Sequence, residues 1–254
     1  MEDQVSEVAS ALSALYGAPQ LLTEGVLHVT SAVRTSVQAD ARAALRVIAV
    51  GPRAPQSTTD FFVLNACRAR ADALLTTAAI LRSEPGLVHT LQGPYAAPLA
   101  RYRAAELHKA EPPLCAILTR SAVLPVAHPV WSDGTRKLVL TTPESAAALR
   151  ALLGSRAEVV ALSGLDARSA IALLQERGHA LVSVEAGPST TAPLYRAPGL
   201  VDELLLSLYE GPLEGVELGG ELPDQLLEGR ECLGESEREE ESGRWRFQRW
   251  GRAQ

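Results

Sequence analysis

Apolar positions along this chain follow two rhythms. Short β-branched runs alternate with longer stretches in which apolar residues recur every three or four positions. Leu45-Arg46-Val47-Ile48-Ala49-Val50 reads as a buried strand, followed by a turn-rich segment from Gly51 to Asp60. Phe61, Leu64, Cys67 and Ala71 then fall at helical spacing, with Arg68 and Arg70 off that face. Strands are predicted over Asp72–Thr77, Leu114–Thr119, Leu138–Thr142, Val159–Leu162, Ala180–Val184 and Glu203–Leu208. Between them Pro143 opens a helix that stops at Gly154, Asp166 caps another that ends at Gly178, and Thr190 to Tyr195 forms a short one.

Strand–helix alternation of this kind builds right-handed crossovers on a mostly parallel sheet, and such sheets bind ligands at the carboxyl ends of their strands. Attention therefore falls on Thr119-Arg120-Ser121, Thr141-Thr142, Ser163-Gly164 and Glu185 to Thr190, all small, polar or glycine-containing. The N-terminal residues 1–40 read as a helical extension, with Val5, Val8, Leu12 and Leu15 on one face. Residues 41–254 read as one domain that ends in an acidic loop, Glu235 to Glu241, and an aromatic tail carrying Trp245, Phe247 and Trp250.

Composition narrows the function. The chain has 254 residues, 46% hydrophobic and 21% charged, an ordinary globular mixture. No apolar run approaches the roughly 20 residues that span a bilayer, and the acidic start does not read as a secretory signal, so a cytoplasmic protein is expected. A net charge of -6 argues against general attraction to nucleic acid. The basic residues are nearly all arginine, with Lys109 and Lys137 the two lysines. Cys67, Cys115 and Cys232 form no CxxC pair and read as reduced, buried, inert thiols, and the five histidines show no metal spacing, so no metal is expected. No GxGxxG follows a strand, and P-loop, GxSxG and zinc-deaminase motifs are missing.

One segment carries chemistry. In Val184-Glu185-Ala186-Gly187-Pro188-Ser189-Thr190-Thr191 a strand delivers a carboxylate, a glycine lets a ligand approach the backbone, and a helix begins with hydroxyl donors. Free N–H groups and the helix dipole favour a phosphate there. An ordinary strand-to-helix turn with a solvated Glu185 fits the same residues.

Ser183 to Thr190, followed by Gly199-Leu200-Val201-Asp202-Glu203-Leu204, resembles the "VEGGPTL…GLVDEL" signature of the riboflavin-biosynthesis reductase domain, the C-terminal domain of the bacterial bifunctional deaminase-reductase. Arg68 to Leu75, with Glu84-Pro85-Gly86-Leu87 downstream, is similar to the family's "RAxADAIL…DDPxL" segment. The ordered pair covers roughly Arg46 to Gly211. The resemblance implies a three-layer α/β/α, dihydrofolate-reductase-like fold on a mostly parallel mixed sheet. It implies NADPH-dependent reduction of a phosphoribosylaminopyrimidine or related heterocycle, with hydride passing to the ribosyl C1, and a homodimer without nucleic-acid or membrane partners. It places Gly187, Pro188, Ser189, Thr190 and Thr191 on the cofactor phosphates, with Ala49 and Thr119 as further cofactor positions; Thr141, at a strand's carboxyl end, is a further cofactor candidate on that ground. Glu185 becomes the catalytic and substrate-facing acid, with Arg68 and Leu87 on the substrate side; a surface helix arginine is the plain alternative for Arg68. Arg120 is a candidate for the cofactor 2′-phosphate on charge grounds. Departures fall on the substrate side: "SLDG" is replaced by Val50-Gly51-Pro52-Arg53, Ser83 stands for the first Asp of "DDP", and no basic residue follows near His89-Thr90. A non-catalytic nucleotide-binding homologue with a regulatory role is the alternative function.

Overall fold

The computed structural model describes residues 2–17, 21–36 and 43–253. In chain order they form α1 (Glu2–Tyr16), β1 (Gly25–Ser36), β2 (Ala43–Ile48), α2 (Thr58–Arg70), β3 (Ala73–Thr77), α3 (Ala78–Ser83), α4 (Ala96–Ala105), β4 (Leu114–Leu118), β5 (Lys137–Thr141) and α5 (Pro143–Leu153). Then follow β6 (Glu158–Ala161), α6 (Ala167–Glu176), β7 (Leu181–Val184), α7 (Pro188–Tyr195), β8 (Glu203–Tyr209), β9 (Leu218–Glu221), β10 (Arg230–Glu240) and β11 (Gly243–Arg252).

All strands join one sheet in the order β10-β11-β8-β1-β7-β3-β4-β5-β6, with β2 and β9 as an arm on β1. From β8 to β6 every neighbouring pair is parallel. The C-terminal hairpin β10–β11 adds antiparallel to β8. Helices cover both faces. One core joins α6 and α7 to Leu75, Ala116, Leu140, Val182 and Leu206. The opposite face packs α1, α2 and α4 over Leu27, Leu181 and Leu205, and α3 and α5 over Cys115, Ile117 and Val139. The expected α/β/α layering is therefore present.

Three sequence expectations change. Residues 1–40 are not a helical extension: α1 accounts for the start, but Gly25–Ser36 is a strand at the centre of the sheet. Residues 1, 18–20 and 37–40 of that stretch lie outside the described residues. Thr30, Ser31, Thr35 and Ser36 dilute the apolar signal of β1, while Val26, Leu27, Ala32 and Val33 are buried, with β8 along one side of the strand and first β7, then β2, along the other. The strand ending at Ile48 is consequently the second strand, antiparallel to β1, so Ala49 does not end the first core strand. The acidic run is not a loop but half of β10, with Glu237 opposite Arg246 and Glu239 opposite Arg244. Arg246 reaches Glu237 at 3.1 Å and Glu210 at 3.1 Å, so repulsion along the strand is offset across it. Lastly, Cys67 and Cys115 are buried but Cys232 is exposed.

The hairpin is integral to the fold. Trp245 and Phe247 are 1% and 0% exposed, and Trp245 packs against Tyr209 with ring centroids 5.1 Å apart. A Cβ at Gly234 would stand 1.9 Å from the Tyr16 carbonyl oxygen, so α1 closes on β10 only because that position is glycine. Glu240 also caps α2, accepting from the backbone N–H of Thr58 at 2.8 Å and the Ser57 hydroxyl at 3.0 Å. Trp245→Ala is expected to cost about 3–5 kcal/mol of stability through the cavity it leaves. Urea unfolding followed by circular dichroism measures this; a loss below about 1 kcal/mol would detach the hairpin from the core.

Candidate active site

The parallel strands end along one edge, and β2 descends onto that edge. On β1, His28 stands opposite Val184 of β7 while Ala32 stands opposite Val47 of β2. Since β8 holds the other side of β1, β2 and β7 meet nearly end to end. Ala49 and the exposed Val50 thus arrive beside Glu185, Ala186 and Gly187, and the Ala49 N–H is held by the Glu217 carbonyl at 3.0 Å.

Glu185 leaves β7 with its backbone N–H on the Leu75 carbonyl at 2.9 Å. Its carboxylate meets Arg68 from the last turn of α2. Arg68 Nε donates to Oε1 at 2.9 Å and Nη2 donates to Oε2 at 2.7 Å. Nη1 donates to the carbonyls of Val88 and Thr90, both at 3.0 Å. Arg68 is 0% exposed, so it is neither a surface helix arginine nor open to a ligand. Arg70 is buried too, bound to Glu203 at 2.5 Å, and the inward face of α2 carries Phe62, Val63 and Ala66 rather than Phe61 and Leu64.

Burial alone would raise the Glu185 carboxyl, but the charge and hydrogen bonds of Arg68 outweigh it and hold the group below the usual 4.5. Glu185 is an ionised acceptor. Nearby, burial and then the charge of Glu185 push the Glu84 carboxyl up to about 7. His89 is fully buried, neither ring nitrogen has a hydrogen-bond partner among the described residues, and burial lowers it to about 4. It is neutral near pH 7. Leu87 sits partly buried in the turn that its N–H closes on the Glu84 carbonyl at 3.0 Å.

Gly187 caps α7, and a Cβ placed on it would meet nothing within 4 Å. Pro188 has no N–H to offer, and the amides of Gly187 and Ser189 find no partner among the described residues. A backbone open to approach, bare amides and a helix N-terminus form a fitting cradle for a dinucleotide's phosphates. Ser189 is exposed and Thr190 partly exposed at this lip. Thr191 is instead buried in the helix, its hydroxyl within 3.5 Å of the Gly187 carbonyl.

The remaining predicted positions spread along the same edge. The Thr119 hydroxyl is folded onto its own turn, donating to the Ser121 carbonyl at 2.8 Å. Arg120 is exposed, its Nη2 on the Leu165 carbonyl at 2.6 Å, bridging the β4 end to the loop after β6. Thr141 ends β5 fully buried, its hydroxyl without a hydrogen-bond partner among the described residues. Sequence reading missed Glu84 and His89 as site residues; their burial depends on the 84–92 loop folding back over Arg68, which no local pattern signals.

The model of the RibD C-terminal domain matches residues 28–213. The chain belongs to the RibD C-terminal domain family. The match begins inside β1, earlier than the Arg46 onset taken from the motifs. No curated protein matches the chain. Among solved structures, a pyrimidine reductase-like protein from Corynebacterium diphtheriae superposes with TM-score 0.63 at 20% identity, over 96% of this chain and 99% of that one. A deaminase/5-amino-6-(5-phosphoribosylamino)uracil reductase from Thermotoga maritima gives 0.61 at 15% identity, over 91% of this chain and 57% of that longer one. The riboflavin biosynthesis reductase of Saccharomyces cerevisiae gives 0.55 at 12%, over 95% and 98%. These likenesses establish the fold, and membership of the RibD family makes the chain a reductase-family protein. No described helix is long and apolar enough to cross a membrane.

The ion pair sets a stability test. Arg68→Met leaves a charged Glu185 buried alone and is expected to cost about 3–5 kcal/mol, whereas Arg68→Met/Glu185→Leu recovers most of that loss. Because the Glu185 carboxyl is depressed, the pair's contribution is complete above 4.5 and is lost as pH falls through the lower folded value. Urea titrations at descending pH should show wild type losing stability relative to the double variant; a constant difference would refute the assignment.

Proposed function

We propose that this protein is an NADPH-dependent reductase of a phosphoribosylaminopyrimidine of riboflavin biosynthesis, or of a related heterocycle. The observation that carries the reading is the open cradle at Gly187 standing directly beyond a Glu185 kept ionised by Arg68. Gly187, Ser189 and Thr190 would hold the cofactor phosphates, Ala49 and Thr119 would line its path, and Arg120 would turn from Leu165 to a 2′-phosphate; Thr141, fully buried, is not open to it. When bound, the nicotinamide supplies the hydride that the ribosyl C1 accepts. Glu185 accepts a hydrogen bond from the substrate and fixes its orientation. Arg68, being buried, acts by positioning Glu185. A homodimer formed through the C-terminal hairpin belongs to the same reading, since β10 is an edge strand of the sheet.

A second reading, a nucleotide-binding protein without catalysis, is favoured by the substrate side: His89 is neutral near pH 7, in the stretch where the family's motif carries a basic residue. Calorimetric titration with NADPH and loss of NADPH absorbance with the aminopyrimidine separate the two. Gly187→Val is expected to abolish NADPH binding while the protein still melts cooperatively. Unchanged affinity would remove the loop from the site. Glu185→Gln should lower turnover far more than cofactor affinity, and equal losses would make Glu185 a structural acid.

A further inference from the structure

Within electrostatic reach of Glu185 lies a second carboxyl that the reading above leaves unused. Glu84 follows α3, half-buried, and its Oε2 is buried with no hydrogen-bond partner among the described residues. Its backbone carbonyl is gripped from two sides, by His128 Nε2 at 3.0 Å and the Leu87 N–H at 3.0 Å, so the root of the side chain is fixed. His128 Nδ1 accepts from the Val130 N–H, which leaves Nε2 as the donor to Glu84.

The charged and titratable groups around Glu84 come from five segments. Glu185 after β7 repels its charge and Arg68 on α2 attracts it. His89, in the loop that follows, is buried and neutral near pH 7. His128 touches the backbone carbonyl, and Arg82, on α3 itself, is turned to the Val123 carbonyl at 3.3 Å. Arg68 is committed to Glu185 and to two carbonyls. Two carboxyls served by one guanidinium divide their roles: the one that holds the cation stays ionised, and the other retains its proton.

We propose that Glu84 is the proton donor of the reaction and that Glu185 is its ionised, orienting partner. The proposal rests on the reductase reading. In the step, the C1–ring-oxygen bond of the ribose breaks with its electron pair moving to oxygen, and that oxygen takes the Glu84 proton. The carbon, left electron-poor, receives hydride from the reduced nicotinamide, which departs oxidised, and solvent returns a proton to Glu84.

The test begins without cofactor or substrate. In the intact protein labelled with carbon-13 at glutamate side-chain carboxyls, one resonance should titrate near 7 and vanish in Glu84→Gln. Its midpoint should fall in Glu185→Gln, where the like charge is gone and Arg68 is freed. With NADPH and the aminopyrimidine, wild-type turnover should decline as pH rises through about 7. Glu84→Gln should lose that limb and about 10²–10⁴-fold of turnover while keeping its NADPH affinity. A Glu84 resonance in the ordinary carboxylate range, or full turnover by Glu84→Gln, overturns the proposal and leaves the reductase reading standing. A wild type that oxidises NADPH with none of the pyrimidines overturns both.

Discussion

The arrangement of this molecule depends on one buried ion pair. Arg68 and Glu185 lie 117 residues apart, on a helix and at the end of a central strand, and their side chains are 1% and 8% exposed. Removing two charges from water costs several kcal/mol per ion, and only good geometry with further hydrogen bonds compensates. Arg68 meets that demand: its fork grips both oxygens of Glu185, and its remaining nitrogen is satisfied by the carbonyls of Val88 and Thr90. Those two carbonyls belong to the loop that folds His89 inside. The pair therefore sets three things together: the seat of α2 on the sheet, the path of the 84–92 loop, and the charge state of the acid at the cradle's edge.

The same helix is anchored at other points by the same kind of chemistry. Arg70 pins it to Glu203 at the start of β8, and Arg249 from β11 donates to the same carboxylate. Glu240 from the end of β10 caps its first turn. Strand β11 separates β10 from β8, so the C-terminal hairpin grips both ends of the helix that carries Arg68. A mixed sheet with its last hairpin removed would lose the N-terminal cap of α2 and one of the two arginines on Glu203. The site is consequently supported from the far side of the fold by a segment that contributes nothing to the cradle itself.

Much of this was legible in the residues. The parallel strands β3 to β8, their connecting helices and the glycine turn after β7 all announce themselves locally, through β-branched runs, a proline at a first helical turn and a glycine at a cap. What escaped depends on distant partners. β1 mixes hydroxyl residues into its run and is recognisable as a strand only with β7 and β8 on either side. The acidic segment looked like a solvated loop because its alternating glutamates find arginines only across the hairpin. The surface alternative for Arg68 arises because its partner Glu185 lies far off in sequence, after β7, while Asp72, four residues on, pairs with Lys109. Family motifs indicated that Arg68 and Glu185 share a site, but not that the arginine would be wholly spent on the acid.

Electrostatics then sorts what each part of the edge can receive. The N-terminus of α7 offers unpaired amides and the positive end of a helix dipole, so phosphate is favoured there. One residue before Ala186-Gly187 the sign reverses: Glu185 is ionised, Glu84 carries a proton it can lose, and His89 brings no positive charge near pH 7. A phosphate beside Glu185 would face a carboxylate whose guanidinium partner, Arg68, is already bound. A ring or sugar presenting N–H and O–H donors fits that side, and any phosphate on the same substrate has to extend away from it. The fold thus sets bare amides and a helix N-terminus on one side of Gly187 and an ionised carboxylate on the other, and in the reading proposed above that polarity would decide which end of each ligand comes to the centre.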